Sequence, residues 1–572
     1  MSVSSSSRKP SHTGRQLNLA DILARVTAHE TLTDRQRQDL ASALRTVGKA
    51  IGLPLTDVPA HPAHLRDRLK GFAPAMIGLS DRRWANVLSL ARAALKHGGV
   101  ALMPGRYREP FAPKWAALFP PLKQMHTRIA LSRLARYCSI RGIDPEQVDD
   151  VVFDAFGEDL TNAALIKLPN KVHRKAAVVW NQAAETVPGW PQRRVKIPDY
   201  RRTYALPWET FPTSLKADVD AYLGRLANTD VLEDLDFQPL KSASIRTRSH
   251  QIHAYLSALV HRGRDPQTLQ TLRDVVAIDV VKDGLRFFLD RAEDKSTKQA
   301  HGIAGVIRAI ARHWVQVEAD RLTALDSLRQ RLDPHQVGMT ETNRKRLRQF
   351  DDLENVRSLM ILPEKLLAEA NGVKTPTPAA ALLVQTAVAI EILLMVPLRR
   401  RNLVQLDLNR HLVRINKGRT QLRIPGAEVK NGADIEATLP DRSVRLIERY
   451  LEIYRPLLLT DASSFLFPGL TNRPKSCERL SLQISTTIKE RCGLQMHLHL
   501  FRHVAAKLYL DVNPGAYGVI RLLLGHRSVE TTTKFYCGME TAAAVRRFDD
   551  HVLALHERLA TPASCAKPRR GG

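Results

Sequence analysis

Cysteine is scarce in this sequence, and the few cysteines stand far apart. There are five in 572 residues, with no Cys-x-x-Cys pair and no Cys and His spacing of the kind that binds structural zinc. Neither disulfide bonds nor a structural zinc site is therefore expected. The five are Cys138, Cys477, Cys492, Cys537 and Cys565.

An uninterrupted apolar run long enough to cross a membrane is also missing. The richest run, Ala379 to Leu398, is interrupted by Gln385, Thr386 and Glu391, whereas a spanning helix needs about 20 predominantly apolar residues. We interpret this run as a buried core helix. The N-terminus has serine and basic residues but lacks the apolar segment of a secretion signal. A cytoplasmic protein without membrane contact is expected.

Acidic residues are too few to balance the basic ones. The chain has 58 Asp and Glu against 86 Lys and Arg, which gives a net charge of +28. This excess suits a polyanionic partner such as nucleic acid, although an anionic membrane surface would also attract it. The cations are spread over helix-like segments such as Arg66 to Lys70 and Arg344 to Arg348. That distribution indicates that basic surfaces of folded domains, rather than a single basic tail, contact a nucleic-acid backbone.

Apolar residues at helical spacing dominate the first two thirds of the chain, as in Leu40, Leu44, Val47 and Ile51. After Arg399 come three short, partly alternating runs that are divided by turn dipeptides. The pattern predicts a mainly α fold with a small antiparallel β-sheet in the C-terminal domain. The three runs are Leu412 to Ile415, Gln421 to Ile424 and Ile435 to Leu439, and the turns are Lys417-Gly418 and Asn431-Gly432.

Three stretches contain the same features in the same order, namely a helical pattern, a glycine, a proline and a further helix. Each is followed later by a tryptophan in a helical pattern. Two interpretations stay open. The stretches are three related helical modules, or they reflect the order of helix, glycine, proline and helix that is common in any α protein. The stretches are Asp34 to Ile51, Thr127 to Gly142 and Ser249 to Gly263, and the tryptophans are Trp84, Trp180 and Trp314.

At this length two to four domains are expected, and they should be separated by connecting segments. Met103 to Pro121 and Pro188 to Pro212 hold several prolines and cannot be continuous helix. Arg331 to Gln349 is charged and poor in apolar residues. The predicted division is a disordered tail over 1–15, helical modules over 16–105 and 122–190, a helical domain over 213–330, a C-terminal domain over 340–560 and a disordered tail over 561–572.

The densest cluster of chemically active side chains lies near the C-terminus. His499-Leu500-Phe501-Arg502-His503 is followed by Leu524-Gly525-His526 and then by Tyr536. On a helix, His499 and Arg502 would share one face and could meet one phosphate. Cleaving a phosphodiester requires cations and donors on the oxygens, a nucleophile and an acid for the leaving group. Singly, each residue has a simpler interpretation as a solvated arginine, a surface histidine or a core tyrosine.

Taken in order, these residues resemble the motifs of the tyrosine recombinase (phage integrase) family, over roughly Thr340 to Leu559. Val396-Pro397-Leu398-Arg399 is similar to the family's first arginine motif, and Val429-Lys430-Asn431-Gly432 is similar to its mobile hairpin lysine. The resemblance implies that Tyr536 is the nucleophile. It also implies that Lys430 is the general acid, with Lys417 as its competitor. The residues implied to bind the phosphate are Arg399, His499, Arg502 and His526.

The sequence departs from the family pattern at three places. Phe501 stands where leucine is usual, Asn402 stands where an acidic residue is common, and one extra residue separates His526 from Tyr536. We regard the first exchange as harmless because it is apolar. The histidines next to the motif, His497 and His503, are interpreted as structural.

The resemblance implies a site-specific recombinase that cuts and rejoins double-stranded DNA through a 3′-phosphotyrosine, without metal, ATP or another cofactor. Integration or excision of a mobile element in the nucleoid is the expected role, with accessory recombination proteins as possible partners. Two alternatives are a DNA-binding architectural factor without catalysis and a type IB topoisomerase-like relaxing enzyme.

The family also implies a helical core-binding (SAM-like) DNA-binding domain, for which 213–330 is the candidate and Ile245 to Ala324 the best match. The two earlier modules would extend the DNA footprint, contact partner subunits or act as a spacer. A homotetramer on two DNA sites is expected, in which subunits exchange a segment such as Ala542 to Leu559. The apolar spacing of that segment fits a docking face formed by Val545, Phe548, Val552 and Leu555.

Overall fold

The computed structural model describes residues 17–103, 110–200, 203–227, 237–292, 297–335, 338–415, 419–526, 528–536 and 541–560. The tails predicted over 1–15 and 561–572 lie outside these ranges. So do the alternative lysine Lys417 and two of the cysteines, Cys537 and Cys565.

The chain divides into two compact units. One is Tyr200–Val337, and the other combines Met1–Asp199 with Gly338–Gly572. Within the combined unit the N-terminal and C-terminal parts approach closely at Gly493, where a Cβ atom would lie 3.0 Å from the backbone nitrogen of Met76. Gly493 also has a φ of 72°, which favours glycine.

Among the described residues before Asp199, eight α-helices enclose two apolar cores. Helices α1 to α4 surround the first core, and α5 to α8 surround the second, which holds the buried Trp115, Trp180 and Trp190. The helices are α1 Leu19–Thr27, α2 Asp34–Ile51, α3 Pro62–Arg68, α4 Asp81–His97, α5 Pro113–Leu118, α6 Met125–Ile140, α7 Asp150–Asn162 and α8 Pro169–Thr186.

The unit Tyr200–Val337 is a helical bundle with its own apolar core, which includes the buried Tyr222, Tyr255 and Phe288. Gly284 allows its helix to approach Tyr255, because a Cβ there would lie 2.4 Å from that ring. The helices are α9 Thr213–Ala227, α10 Ser242–His261, α11 Ile278–Ala292, α12 Lys298–Ile310 and α13 Ala319–Arg331.

The three stretches that share an order of parts also share a local backbone geometry. In each, a helix (α2, α6 or α10) is followed by a glycine with positive φ and then by a short 3-10 turn at a proline. The glycines are Gly52, Gly142 and Gly263, with φ values of 76°, 66° and 94°. A positive φ is open to glycine without strain and stops the helix. Three related modules remain a proposal.

The C-terminal domain surrounds a large apolar core with helices and one small sheet. Strands β1 Leu412–Arg414, β2 Thr420–Ile424 and β3 Ile435–Thr438 form it in antiparallel order. The predicted fold class, mainly α with a small antiparallel sheet, is confirmed. The helices are α14 Glu341–Leu347, α15 Leu353–Met360, α16 Leu362–Asn371, α17 Pro378–Met395, α18 Arg400–Val404, α19 Asp441–Arg449, α20 Cys477–Cys492, α21 Leu500–Val512, α22 Tyr517–Leu524, α23 Val529–Tyr536 and α24 Thr541–Ala560.

Helix α17 runs through this core, as its apolar composition predicts. It is the one helix in the described part of the chain that is long and apolar enough to cross a membrane, and 67% of it is buried inside the fold. Its buried Glu391 accepts hydrogen bonds from Ser443 Oγ at 2.6 Å and from Arg442 Nε at 3.2 Å. A buried carboxylate requires such partners, so the polar interruption of the apolar run is explained by a specific contact.

Candidate active site

The site begins where α17 ends. Arg399 caps the N-terminus of α18 and is half-buried, and its Nη1 lies 3.4 Å from Asn431 Oδ1 in the loop between β2 and β3. Burial lowers the pKa of the Arg399 guanidinium. Asn431 also donates from Nδ2 to the carbonyl oxygen of Gly525. The loop is therefore tied both to the first arginine and to the turn that precedes His526.

Arg502 is enclosed by the fold, with only 4% of its surface exposed. From α21 its Nη1 donates to the carbonyl of Pro397 at 2.8 Å, and its Nη2 donates to the carbonyl of Leu524 at 2.5 Å. Burial lowers the pKa of Arg502 to about 10, and the positive charge of Arg399 acts in the same direction. The rigid guanidinium thereby joins three segments that are distant in sequence.

His499 stands at the start of α21 as its N-cap residue and is exposed at the surface. Its ring meets the ring of His503 edge to face at a centroid distance of 5.0 Å. Partial burial of its ring lowers the pKa of His499, and the charges of Arg502, His497 and Arg399 lower it further. His499 is thus at the mouth of the site rather than inside it.

His526 follows Gly525, whose left-handed backbone ends α22 with a φ of 55°. Its Nδ1 lies 2.9 Å from the hydroxyl oxygen of Thr532, which is buried. Its ring is parallel to that of Tyr536 at 6.4 Å between centroids. The pKa of His526 is lowered to about 4, chiefly by burial and also by the charges of Arg502, Arg399 and His499.

Tyr536 is the last residue of α23, and only 1% of it is exposed. Its hydroxyl lies 3.0 Å from Nδ1 of His503, which is itself 4% exposed. Burial raises the pKa of the Tyr536 phenol, and the charge of Arg502 only partly opposes that rise. The phenol is therefore neutral in the free protein.

His503, which the sequence analysis interprets as structural, also lies next to Tyr536. The hydrogen bond to Tyr536 places it inside the site. One signal could have identified it, since His499 and His503 are four apart and share one face of α21. His497 differs: its Nε2 contacts Asn343 Oδ1 at 3.1 Å, and its Nδ1 accepts from the Leu500 amide at 3.2 Å.

Lys430 lies beside Asn431 in the loop between β2 and β3, and its side chain is exposed. Within the described ranges it forms no hydrogen bond or ion pair. Asn402, one of the departures from the family pattern, is buried and donates from Nδ2 to the carbonyl of Glu428 at 3.3 Å. An amide here supports the loop that carries Lys430.

The structure thus brings Arg399, Arg502, His526 and Tyr536 together around one point, with His499 at its mouth and Lys430 on a neighbouring loop. Two guanidinium groups, titratable rings and a phenol can bind a phosphate and supply a nucleophile. Among the described residues, no group of three or more His, Cys, Asp or Glu is arranged to hold a metal ion.

Known proteins provide a comparison for this arrangement. Residues 364–541 match the phage integrase family. No curated protein matches the sequence.

Among solved structures, XerA recombinase is 16% identical, with 58% of this chain and 98% of that one covered and a TM-score of 0.25. XerH bound to difH substrate before cleavage is 14% identical, with 59% and 98% covered and a TM-score of 0.35. A lambda integrase dimer bound to a COC′ core site is 15% identical, with 55% and 96% covered and a TM-score of 0.33. Such low values assign no residue and no activity to this chain.

Proposed function

We propose that this chain, whose residues 364–541 match the phage integrase family, cleaves and rejoins double-stranded DNA through a covalent link to Tyr536. The observation that supports this best is the burial of Tyr536 near the buried Arg502, whose positive charge lowers the pKa of the phenol against the effect of burial. A nucleophile next to a fixed cation suits attack on a phosphodiester.

In the proposed reaction the Tyr536 oxygen attacks the phosphorus, and the bond to the 5′ oxygen breaks. The product is a 3′-phosphotyrosine with a free 5′ hydroxyl, and the attack of a strand's hydroxyl reverses the step. Arg399 and Arg502 would hold the non-bridging oxygens. His526 would add a donor from Nε2 if its Nδ1 accepts from the Thr532 hydroxyl, because a neutral imidazole carries one proton.

Lys430 is our candidate for the general acid that protonates the leaving 5′ oxygen. Its loop is fastened to the site through Asn431, which contacts both Arg399 and Gly525. Its own side chain is exposed and could reach a bound strand. The competing Lys417 lies outside the described residues.

Strand exchange between two sites requires several subunits, and we propose a homotetramer in the synaptic complex. The support comes from α24, on which Val545, Phe548, Val552 and Leu555 are 40% to 66% exposed. Large apolar side chains in one exposed stripe are typical of a protein interface. A neighbouring subunit would cover them.

The biological setting that fits this activity is integration or excision of a mobile element in the cytoplasm, on nucleoid DNA and with accessory recombination proteins. The helical unit Tyr200–Val337 would serve as the core-binding domain. The net charge of +28 supports contact with a long DNA segment.

Covalent trapping tests the activity directly. Duplexes would be selected from a random library by binding to the full chain, then nicked so that the released fragment diffuses away and the adduct persists. We expect wild type to give a protein-DNA adduct on a denaturing gel and Tyr536→Phe to give none, since only the hydroxyl is removed. An adduct that survives in the variant would assign the nucleophile to another residue.

The same experiment separates the alternatives. Tight binding without an adduct from wild type would favour a DNA-binding architectural factor. An adduct together with relaxation of supercoiled DNA, but without joining of two sites, would favour a type IB topoisomerase-like enzyme. Recombinant products from two labelled sites would support a site-specific recombinase.

A further inference from the structure

The Tyr536 hydroxyl has one hydrogen-bond partner among the described residues, and it is His503. The oxygen lies 3.0 Å from Nδ1, and both side chains are almost fully buried. Their rings meet at a centroid distance of 5.6 Å. The contact joins α21 to α23 across 33 residues of sequence, so it arises from tertiary packing.

The direction of this hydrogen bond follows from the charge states of the two groups. A buried hydroxyl needs an acceptor, and the phenol keeps its proton because its pKa is raised. The pKa of His503 is lowered to about 3, chiefly by burial and also by the neighbouring His499, His497, Arg502 and His526. The ring is therefore neutral, and one of its nitrogens offers a lone pair. The phenol donates and Nδ1 accepts.

We propose that His503 is the general base that takes the Tyr536 proton during attack on the phosphate. This role rests on the proposed strand cleavage and adds a residue to it. As the Tyr536 oxygen bonds to phosphorus, its O–H bond breaks and the proton moves to Nδ1. The P–O5′ bond breaks in the same step, and the leaving oxygen takes its proton from the general acid, for which Lys430 is the candidate.

The surroundings of His503 make this transfer depend on bound DNA. In the free protein, moving a proton from the phenol to a ring among cationic neighbours is unfavourable, so Tyr536 stays protonated and unreactive. A phosphate held by Arg399 and Arg502 adds negative charge, which favours a protonated His503. The nucleophile would thus be activated when its substrate arrives.

His499 is the competing base, because it belongs to the motif that resembles the family. Residue His499 is exposed, and its ring meets the edge of the His503 ring, whereas His503 contacts the phenol itself. His499 is better placed to meet the phosphate at the mouth of the site.

A substrate with sulfur in place of the bridging 5′ oxygen separates the base from the acid. A thiolate leaves without being protonated, so this duplex needs no general acid but still needs deprotonation of Tyr536. The variants are His503→Asn, which keeps a hydrogen-bonding atom near Nδ1 but cannot accept a proton, and Lys430→Ala. His497→Asn is the matched control, since asparagine can still accept from the Leu500 amide. Single-turnover adduct formation and DNA affinity would be measured with each.

We expect His503→Asn to slow cleavage by about 10² to 10⁴-fold on both the oxygen and the sulfur substrate, with unchanged DNA affinity. The sulfur substrate should restore the cleavage rate of Lys430→Ala. His497→Asn should cleave both substrates at the wild-type rate. Cleavage by His503→Asn at the wild-type rate, or its rescue by sulfur, would overturn the proposal.

Two further outcomes keep the test decisive. If His503→Asn fails to fold, His503→Gln provides a second amide variant. The proposal then requires His503→Gln to lose cleavage rate on both the oxygen and the sulfur substrate. If wild type forms no adduct on either substrate, the proposed cleavage itself is wrong, and the role of His503 is overturned with it.

Discussion

Burial and positive charge act on Tyr536 in opposite directions. Removal of the phenol from water raises its pKa, whereas the nearby Arg502 lowers it, and burial has the larger effect. Neighbouring positive charges from arginine and histidine would ease deprotonation of this tyrosine. In the free protein that easing is incomplete, because His503 and His526 are held neutral and only Arg502 contributes a full charge at this position.

The buried histidines also make stability depend on pH. The pKa values of His503 and His526 are lowered to about 3 and about 4 from an ordinary value of 6.5. Below pH 6.5 these two histidines therefore bind protons in the unfolded chain but remain neutral in the folded chain. The free energy of unfolding falls as the pH drops through this window.

We predict that the midpoint temperature of thermal unfolding of the wild type decreases when the pH is lowered from about 7.5 to about 5. The decrease should be smaller in His503→Asn, because asparagine does not titrate. Circular dichroism would follow unfolding. His64→Asn, at an exposed position of α3, is the control and should behave as wild type does. An equal fall in wild type and His503→Asn would contradict the prediction.

At the scale of single elements, α24 stands apart from the other long helices of the C-terminal domain. Helix α17 is surrounded by the core, whereas the apolar stripe of α24 is exposed, with Phe548 at 66%. The stripe was predicted from spacing alone. Its exposure could not be, because periodicity identifies an apolar face but not what covers it.

We predict that Phe548→Asp prevents assembly of several subunits on DNA while leaving the folded monomer as stable as wild type, because this side chain is exposed. Sedimentation velocity with and without a selected duplex would measure assembly. Ala554→Asp adds the same charge on the opposite face of α24 and should assemble normally. Loss of assembly in both variants would indicate an effect of charge rather than of the stripe.

At the scale of the whole molecule, the excess of positive charge distinguishes this chain. If the chain binds DNA as proposed, a net charge of +28 on 572 residues predicts that many phosphate contacts, with release of counterions, drive the binding. The basic residues are spread through both compact units, so we expect no single segment to account for the proposed DNA affinity.

We predict that DNA affinity falls by about 10³-fold or more between about 50 mM and 200 mM salt, as expected when six or more phosphates are neutralised. Fluorescence anisotropy of a labelled duplex, titrated with the full chain at several salt concentrations, would give the slope. An affinity that hardly changes with salt would mean that apolar contacts and base contacts dominate instead.

Local patterns in the sequence determined much of this protein. Helix α2 spans the predicted Asp34 to Ile51, strands β1 and β3 lie within their predicted runs, and β2 begins one residue before its run. Periodicity and turn dipeptides predict these elements because they act between near neighbours. The order of the motif residues and the basic charge are likewise properties of the chain itself.

Contacts between distant residues were decided by tertiary structure alone. Arg502 donates to the carbonyl of Pro397, 105 residues away, and His503 meets Tyr536 across 33 residues. The approach of Gly493 to Met76 joins opposite ends of the chain in one unit. No spacing rule predicts such pairs, because they depend on how separate helices pack and on which buried polar groups must satisfy one another.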